Sequence, residues 1–165
     1  MSALKTDTDV VAVVQAAIEK HGKKRDALIP ILSEINHAFG YVPGEAFREV
    51  RKQLYDPAEH MYVAESQLYA LASFYDMLST KPRGRHVIKF CENAPCHVVG
   101  GKAIWDTLRE QLNLENGETT PDFKWTLVTT SCIGLCSVGP VLLVDDDIYG
   151  NVTPEQVLDI LRKYD

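Results

Sequence analysis

His86-Val87-Ile88-Lys89-Phe90-Cys91-Glu92-Asn93-Ala94-Pro95-Cys96 joins a short β-like run to a pair of cysteines. The arrangement recurs downstream. Phe123, Trp125, Leu127 and Thr129 alternate with Lys124, Thr126 and Val128, which predicts a strand running up to Cys132-Ile133-Gly134-Leu135-Cys136. Between the two runs, Ile104, Leu108 and Leu112 recur at i, i+4 and i+8, the period of a helix beginning around Gly101. If that helix is a crossover between two strands of one sheet, the strands must be parallel. Their carboxyl ends then point the same way, and the two cysteine pairs meet at one sheet edge.

No cysteine lies outside these pairs. A C-x4-C and a C-x3-C, with residues 97–131 between them, imply one shared centre with four thiolate ligands, either an iron-sulfur cluster or a structural zinc. Zinc asks for a tetrahedron, and the spacing inside each pair allows it. A [2Fe-2S] cluster asks for two thiolates per iron, which two separated pairs supply directly. Ala94, Pro95, Val98, Ile133, Leu135 and Val138 suggest an apolar surround, and Gly134 and Gly139 suggest free backbone N–H groups near sulfur, features that tune a redox centre.

The formal charge of −6 is shared equally between residues 1–80 and 81–165. No basic stripe is present to neutralise phosphates, so nucleic acid and an anionic lipid surface are poor partners. The first residues are polar and lead into a helical pattern, and no apolar run approaches the ~20 residues of a membrane span, so a cytoplasmic protein without membrane insertion is expected. In that reducing compartment paired cysteines hold metal or do redox chemistry more often than they form disulfides.

Upstream of the cysteines the pattern is helical. Val11, Val14 and Ile18 predict a first amphipathic helix stopped by Gly22. Leu28, Ile31, Leu32, Ile35 and Phe39 predict a second, closed by Gly40, in which Pro30 marks either the start or a bend. Phe47, Val50 and Leu54 follow Pro43-Gly44, and Ala64, Leu68, Leu71 and Tyr75 precede Pro82. Four short one-faced helices make a small bundle. Ser79-Thr80-Lys81-Pro82-Arg83-Gly84-Arg85 is polar and holds both breakers, which predicts a boundary between a helical domain, residues 1–80, and an α/β domain, residues 81–165. In the second domain Val141–Val144 predicts a third strand, Asp145-Asp146-Asp147 a solvated turn and Ile148-Tyr149 a return strand. Thr153, Pro154 and Gln156 then start a last helix that buries Val157, Ile160, Leu161 and Tyr164.

The remaining polar features have plain explanations. His97 follows a thiol that already belongs to a complete set of four, which favours a supporting or merely structural role. Asp145 to Asp147 lack the spacing and the turn glycine of a calcium loop. Asn151-Val152-Thr153 reads as a helix start rather than a glycosylation acceptor. Neither a G-x-G-x-x-G nor a P-loop occurs, so the chain is not expected to bind a nicotinamide nucleotide itself.

Cys91-x4-Cys96-His97-Val98-Val99-Gly100-Gly101, Cys132-Ile133-Gly134-Leu135-Cys136-x2-Gly139-Pro140 and Tyr149-Gly150-Asn151-Val152-Thr153-Pro154-Glu155 closely resemble the 24 kDa subunit family of NADH:quinone oxidoreductase. That family includes the matching small subunits of NAD-linked and electron-bifurcating hydrogenases and of NAD-dependent formate dehydrogenases. The likeness extends to Leu28-Ile29-Pro30-Ile31-Leu32, Gly40-Tyr41-Val42-Pro43 and Ala72-Ser73-Phe74-Tyr75, nearly the whole chain. It departs at residues 56–66 and in the filling Glu92-Asn93-Ala94-Pro95, neither of which touches a cysteine.

The resemblance implies an α/β chain in which a helical bundle precedes a thioredoxin-like domain. It also implies one [2Fe-2S] cluster held by Cys91, Cys96, Cys132 and Cys136; the residues themselves offer no convincing nucleophile or acid-base pair, so no catalytic residue is expected. It implies further a large partner subunit that carries FMN and the NAD(H) site, beside which this chain relays single electrons. A zinc-stapled interaction module and a free-standing thioredoxin-like ferredoxin are the alternatives.

Overall fold

The computed structural model describes residues 7–164, which form two compact units dividing between Pro82 and Arg83. The first is helical, with α1 Asp7–His21, α2 Leu28–Phe39, α3 Gly44–Leu54 and α4 Glu65–Phe74. Leu28 opens α2, so Pro30 lies in the first turn, where its missing N–H has no intrahelical partner to lose. Gly40 ends α2 with φ of 79° and donates its N–H to the Asn36 carbonyl at 2.7 Å, a left-handed cap that favours glycine.

Val14, Ile18, Ile31, Leu32, Ile35, Val50, Leu54 and Leu68 fill the core of this unit. One expected position faces the other way. Val11 is 42% exposed, and α1 buries Val10, Val14, Ala17 and Ile18 instead, an i, i+4, i+7, i+8 stripe in which an alanine does the work assigned to a valine. After α4 the chain is tied back onto α2, because the Asn36 side chain accepts the Ser79 N–H at 2.9 Å and donates to the Met77 carbonyl at 3.4 Å.

The second unit is a five-stranded sheet in the order β2-β3-β1-β4-β5. Its strands are β1 His86–Cys91, β2 Glu118–Thr119, β3 Trp125–Thr130, β4 Leu142–Val144 and β5 Asp147–Tyr149. The helices are the one-turn α5 Ala94–Cys96, α6 Lys102–Leu112 and α7 Pro154–Arg162. Strands β1 and β3 pair in parallel, from His86 opposite Trp125 to Cys91 opposite Thr130, with α6 as the crossover. β4 runs antiparallel to β1 on its other side. Alternate residues, Ile88 and Phe90 on β1, Leu127 on β3, Leu142 and Val144 on β4, pack in one core with Ile104 and Leu108 of α6 and Val157, Ile160 and Leu161 of α7. The fold class is α/β with a thioredoxin-like second unit.

Three details differ from the sequence reading. Phe123 precedes β3, exposed and at φ of 54°, because its N–H and the Asp122 carboxylate close a turn from Thr120 through Lys124. Strand β2 escapes notice because two residues carry no period. The aspartate turn is more than solvated: Asp145 accepts from the Val87 N–H at 2.8 Å and bonds His86 Nδ1 at 2.7 Å, while Asp147 accepts from the Tyr164 hydroxyl at 2.6 Å. Burial, together with the hydrogen bonds to Asp147 and to the Tyr149 hydroxyl, pushes the Tyr164 hydroxyl well above the ordinary tyrosine range. Among the described residues no helix is long and apolar enough to cross a membrane.

Both tryptophans, Trp105 and Trp125, belong to the α/β unit. Ile35→Ala, which empties part of the helical core, is expected to cost about 2–5 kcal/mol there. In urea titrations it should move part of the far-UV circular dichroism transition to lower denaturant while leaving the tryptophan fluorescence transition in place. Leu127→Ala should move the fluorescence transition. Coincident shifts of both signals in the Ile35 variant would show that the two units unfold as one.

Candidate metal centre

Cys91 is the last residue of β1 and Cys132 lies in the loop that follows β3, so the parallel pairing sends both chains out of the same sheet edge. Cys91 donates its N–H to the Val141 carbonyl at 3.4 Å, tethering the first loop to the start of β4. Asn93 precedes α5, and Pro95 occupies its second position, where an N–H would be unpaired in any case. Cys96 ends that turn. The chain then kinks through Val99 and through Gly100, which has φ of 104°, before α6 begins. Gly101 is required by closeness, since a Cβ there would meet the Cys96 carbonyl oxygen at 2.6 Å.

The second pair sits on a different kind of scaffold. Residues 131–135 carry no regular structure, and a single 3₁₀ turn, Cys136–Val138, follows. Gly134 has φ of 82° and aims its N–H at Cys132 Sγ, 3.4 Å away, as the sequence suggested. Gly139 does not do the same, because its N–H is taken by the Cys136 carbonyl at 3.2 Å. The sulfurs of Cys132 and Cys136 are 3.7 Å apart. Two ligands on one metal at a metal–sulfur length of about 2.3 Å stand about 3.8 Å apart in a tetrahedron, so this pair has the bite of a metal ligand pair.

All four thiols are free, and they are unequal. Cys91 and Cys96 are 1% and 2% exposed, whereas Cys132 and Cys136 face solvent. Burial pushes the Cys96 thiol up, and the nearby Cys91 and Cys136 push it further. The Cys136 thiol is pushed up first by its hydrogen bond with Cys132, and Cys91 adds to the effect. Cys91 therefore acts on members of both pairs, which brings the four sulfurs into one electrostatic neighbourhood. Gathered thiolates repel one another, and a bound cation reverses that penalty.

Among the described residues no three His, Cys, Asp or Glu side chains converge as the cage of one ion would require. The donor set is two pairs of soft sulfur, ligands that an iron-sulfur cluster accepts, one pair to each metal. The apolar surround consists of Val141 with Ile133, Leu135, Val138 and Leu143. Ala94, Pro95 and Val98 are exposed rather than part of it. His97 is exposed too, and its N–H closes α5 onto the Asn93 carbonyl at 3.0 Å. Sequence reasoning gave no role to Val99, although Gly100-Gly101 signals the bend that turns it outward.

The profile of the thioredoxin-like [2Fe-2S] ferredoxin family matches residues 14–165. The HndA component of the NADP-reducing hydrogenase of Solidesulfovibrio fructosivorans is 33% identical over 156 residues, covering 94% of this chain and 85% of the relative. A component of the NADH-quinone oxidoreductase of Escherichia coli (strain K12) is 34% identical over 140 residues, 85% of this chain and 80% of the relative. In fold, 99% of the chain superposes with a TM-score of 0.56 and 19% identity on 24% of a longer chain in the crystal structure of air-oxidized NAD+-reducing [NiFe]-hydrogenase. With four thiols delivered in two pairs to one sheet edge, and with the family profile running through both units, the chain belongs to the thioredoxin-like [2Fe-2S] ferredoxin family.

Proposed function

We propose that this chain is the [2Fe-2S] electron-transfer subunit of an NAD(H)-linked multisubunit oxidoreductase, with Cys91 and Cys96 holding one iron and Cys132 and Cys136 the other. The observation that carries this reading is the delivery of two thiol pairs to one edge by adjacent parallel strands. The cluster, when bound, takes up and gives back one electron at a time. The chain's residues do the rest. Cys91 and Cys96 anchor the buried side through β1 and α5, and the Gly134 N–H is aimed at Cys132 Sγ on the exposed side. The exposed pair marks the side on which an electron partner approaches.

That partner, in this reading, is a large subunit that carries the flavin and binds NAD(H), where the two-electron hydride step takes place. The relatives' names support it, since one belongs to an NADP-reducing hydrogenase and another to an NADH-quinone oxidoreductase. We assign the helical unit to docking. It leaves Tyr55, Tyr62, Tyr69, Phe74 and Met77 exposed, apolar area of the kind interfaces use. A cytoplasmic setting suits four thiols kept reduced.

Chain produced anaerobically with iron in supply should be reddish-brown and carry about two iron and two acid-labile sulfide per chain, with a paramagnetic signal of one unpaired electron on reduction. Stoichiometric zinc without sulfide would replace this reading with the zinc-stapled module.

Residues 83–165 alone should keep the cluster, since every cysteine and the whole sheet lie within them. They should lose most of their binding to the flavin-bearing subunit, because a stable interface buries roughly 800 Å² per partner, hard to supply from so small a unit. A pull-down comparing full and shortened chains makes the measurement. Undiminished binding by the shortened chain would remove the docking role and favour a free-standing ferredoxin.

A further inference from the structure

Four glycines near the cysteines are glycine for reasons of conformation or space. Gly134 needs its positive φ, and so does Gly100. Gly101 and Gly150 have no room, since a Cβ would meet backbone at 2.6 Å and the Val138 side chain at 3.0 Å. Gly139 is under neither constraint. Its φ of −64° and ψ of 154° suit any residue, and a Cβ on it would make only ordinary contacts. Those contacts are informative: 3.4 Å to Cys96 Sγ, 3.4 Å to the Cys136 carbonyl oxygen and 3.5 Å to Val99 Cγ2. The missing side chain leaves a methyl-sized space between one sulfur of the buried pair and the backbone of the exposed pair, and Val99 borders it.

Val99 is there because of the kink. The turn at Val99 and Gly100 interrupts the helical path from Cys96 to α6 and puts two valines outward, Val98 at 82% and Val99 at 56% exposure. An apolar side chain so exposed gains little from burial, so packing of the core does not account for it. The Val99 Cγ2 would lie 3.5 Å from a Cβ on Gly139, at the edge of that space.

We propose that Gly139 and Val99 together form a water port beside Cys96, Gly139 by leaving the space open and Val99 by restricting entry to it, and that the port sets the reduction potential of the centre. The inference rests on the reading that the four cysteines hold the cluster. The physical ground is simple. Reduction adds one electron, and so one negative charge, to a centre already ligated by four thiolates, without making or breaking a ligand bond. Water dipoles beside a ligand sulfur stabilise the more highly charged form and raise the potential, and their exclusion lowers it. Neither residue touches the reacting metal in this account. Both are positioning residues that act through the surroundings of Cys96.

The test uses the full chain with its cluster, in Gly139→Ala and Val99→Ala variants, each titrated with dithionite and redox mediators while the paramagnetic signal is followed. Filling the space should move the Gly139→Ala midpoint to more negative potential. Widening the entry should move the Val99→Ala midpoint to more positive potential. Opposite signs are the signature, because general loosening of the loops would shift both the same way. If Gly139→Ala keeps its far-UV circular dichroism but binds no iron, the sign for Val99→Ala decides alone. A Val99→Ala midpoint that stays in place or moves negative overturns the proposal, as do shifts of one sign in both variants. Unaltered chain that binds no iron and sulfide would instead defeat the cluster reading itself.

Discussion

Parallel pairing of β1 with β3 is the constraint on which the site depends. Six residues of each strand are in register, from His86 opposite Trp125 to Cys91 opposite Thr130, and the α6 crossover leaves no other direction for β3. Two loops distant in sequence thereby leave the sheet side by side. Had the strands run antiparallel, the pairs would stand at opposite ends, a strand's length apart. The hydrophobic core enforces the pairing, since Ile88, Phe90 and Leu127 face α6 and α7 only in this register, and a slip of one residue would turn them to the other face.

The same arrangement creates an electrostatic cost. Burial pushes the Cys96 thiol up and Cys91 and Cys136 add to it, while Cys132 pushes the Cys136 thiol up. A metal centre that requires all four as thiolates removes that cost, so folding of the two loops and binding of the centre are linked. The linkage is uneven. Cys91 and Cys96 are held by a strand and a helical turn, whereas Cys132 and Cys136 lie in exposed chain with one 3₁₀ turn to support them. In the proposed reading the buried pair is the fixed half of the site, and the exposed pair is the half that metal binding would organise.

Much of this was legible in the sequence, for identifiable reasons. Burial in a sheet with a one-sided core writes a period of two, and helices on a core write a period near 3.6, so β1, β3, α2, α6 and α7 announce themselves. Thr153-Pro154 with Gln156 marks the start of α7, where the Gln156 side chain accepts the Thr153 N–H at 3.0 Å. Elements set by contact rather than period were harder to see. Ala17 outranks Val11 in α1 because geometry, not hydrophobicity, decides which side faces the core. Phe123 falls outside β3 because Thr120 and Asp122 close a turn there. The surround of the cysteines was misassigned at Ala94, Pro95 and Val98, since nearness in sequence to a ligand says nothing about which way a side chain points. Gly139 and Val99 meet only in three dimensions.

In the proposed centre the two thiol pairs serve two metals, one pair to each iron. Mössbauer spectroscopy of chain loaded with 57Fe and reduced by one electron addresses it directly. The account predicts a ferric and a ferrous site in equal amount, both with the tetrahedral sulfur signature, arising from one coupled pair. A single iron environment with four sulfur ligands, or iron that responds as isolated ions, would contradict it.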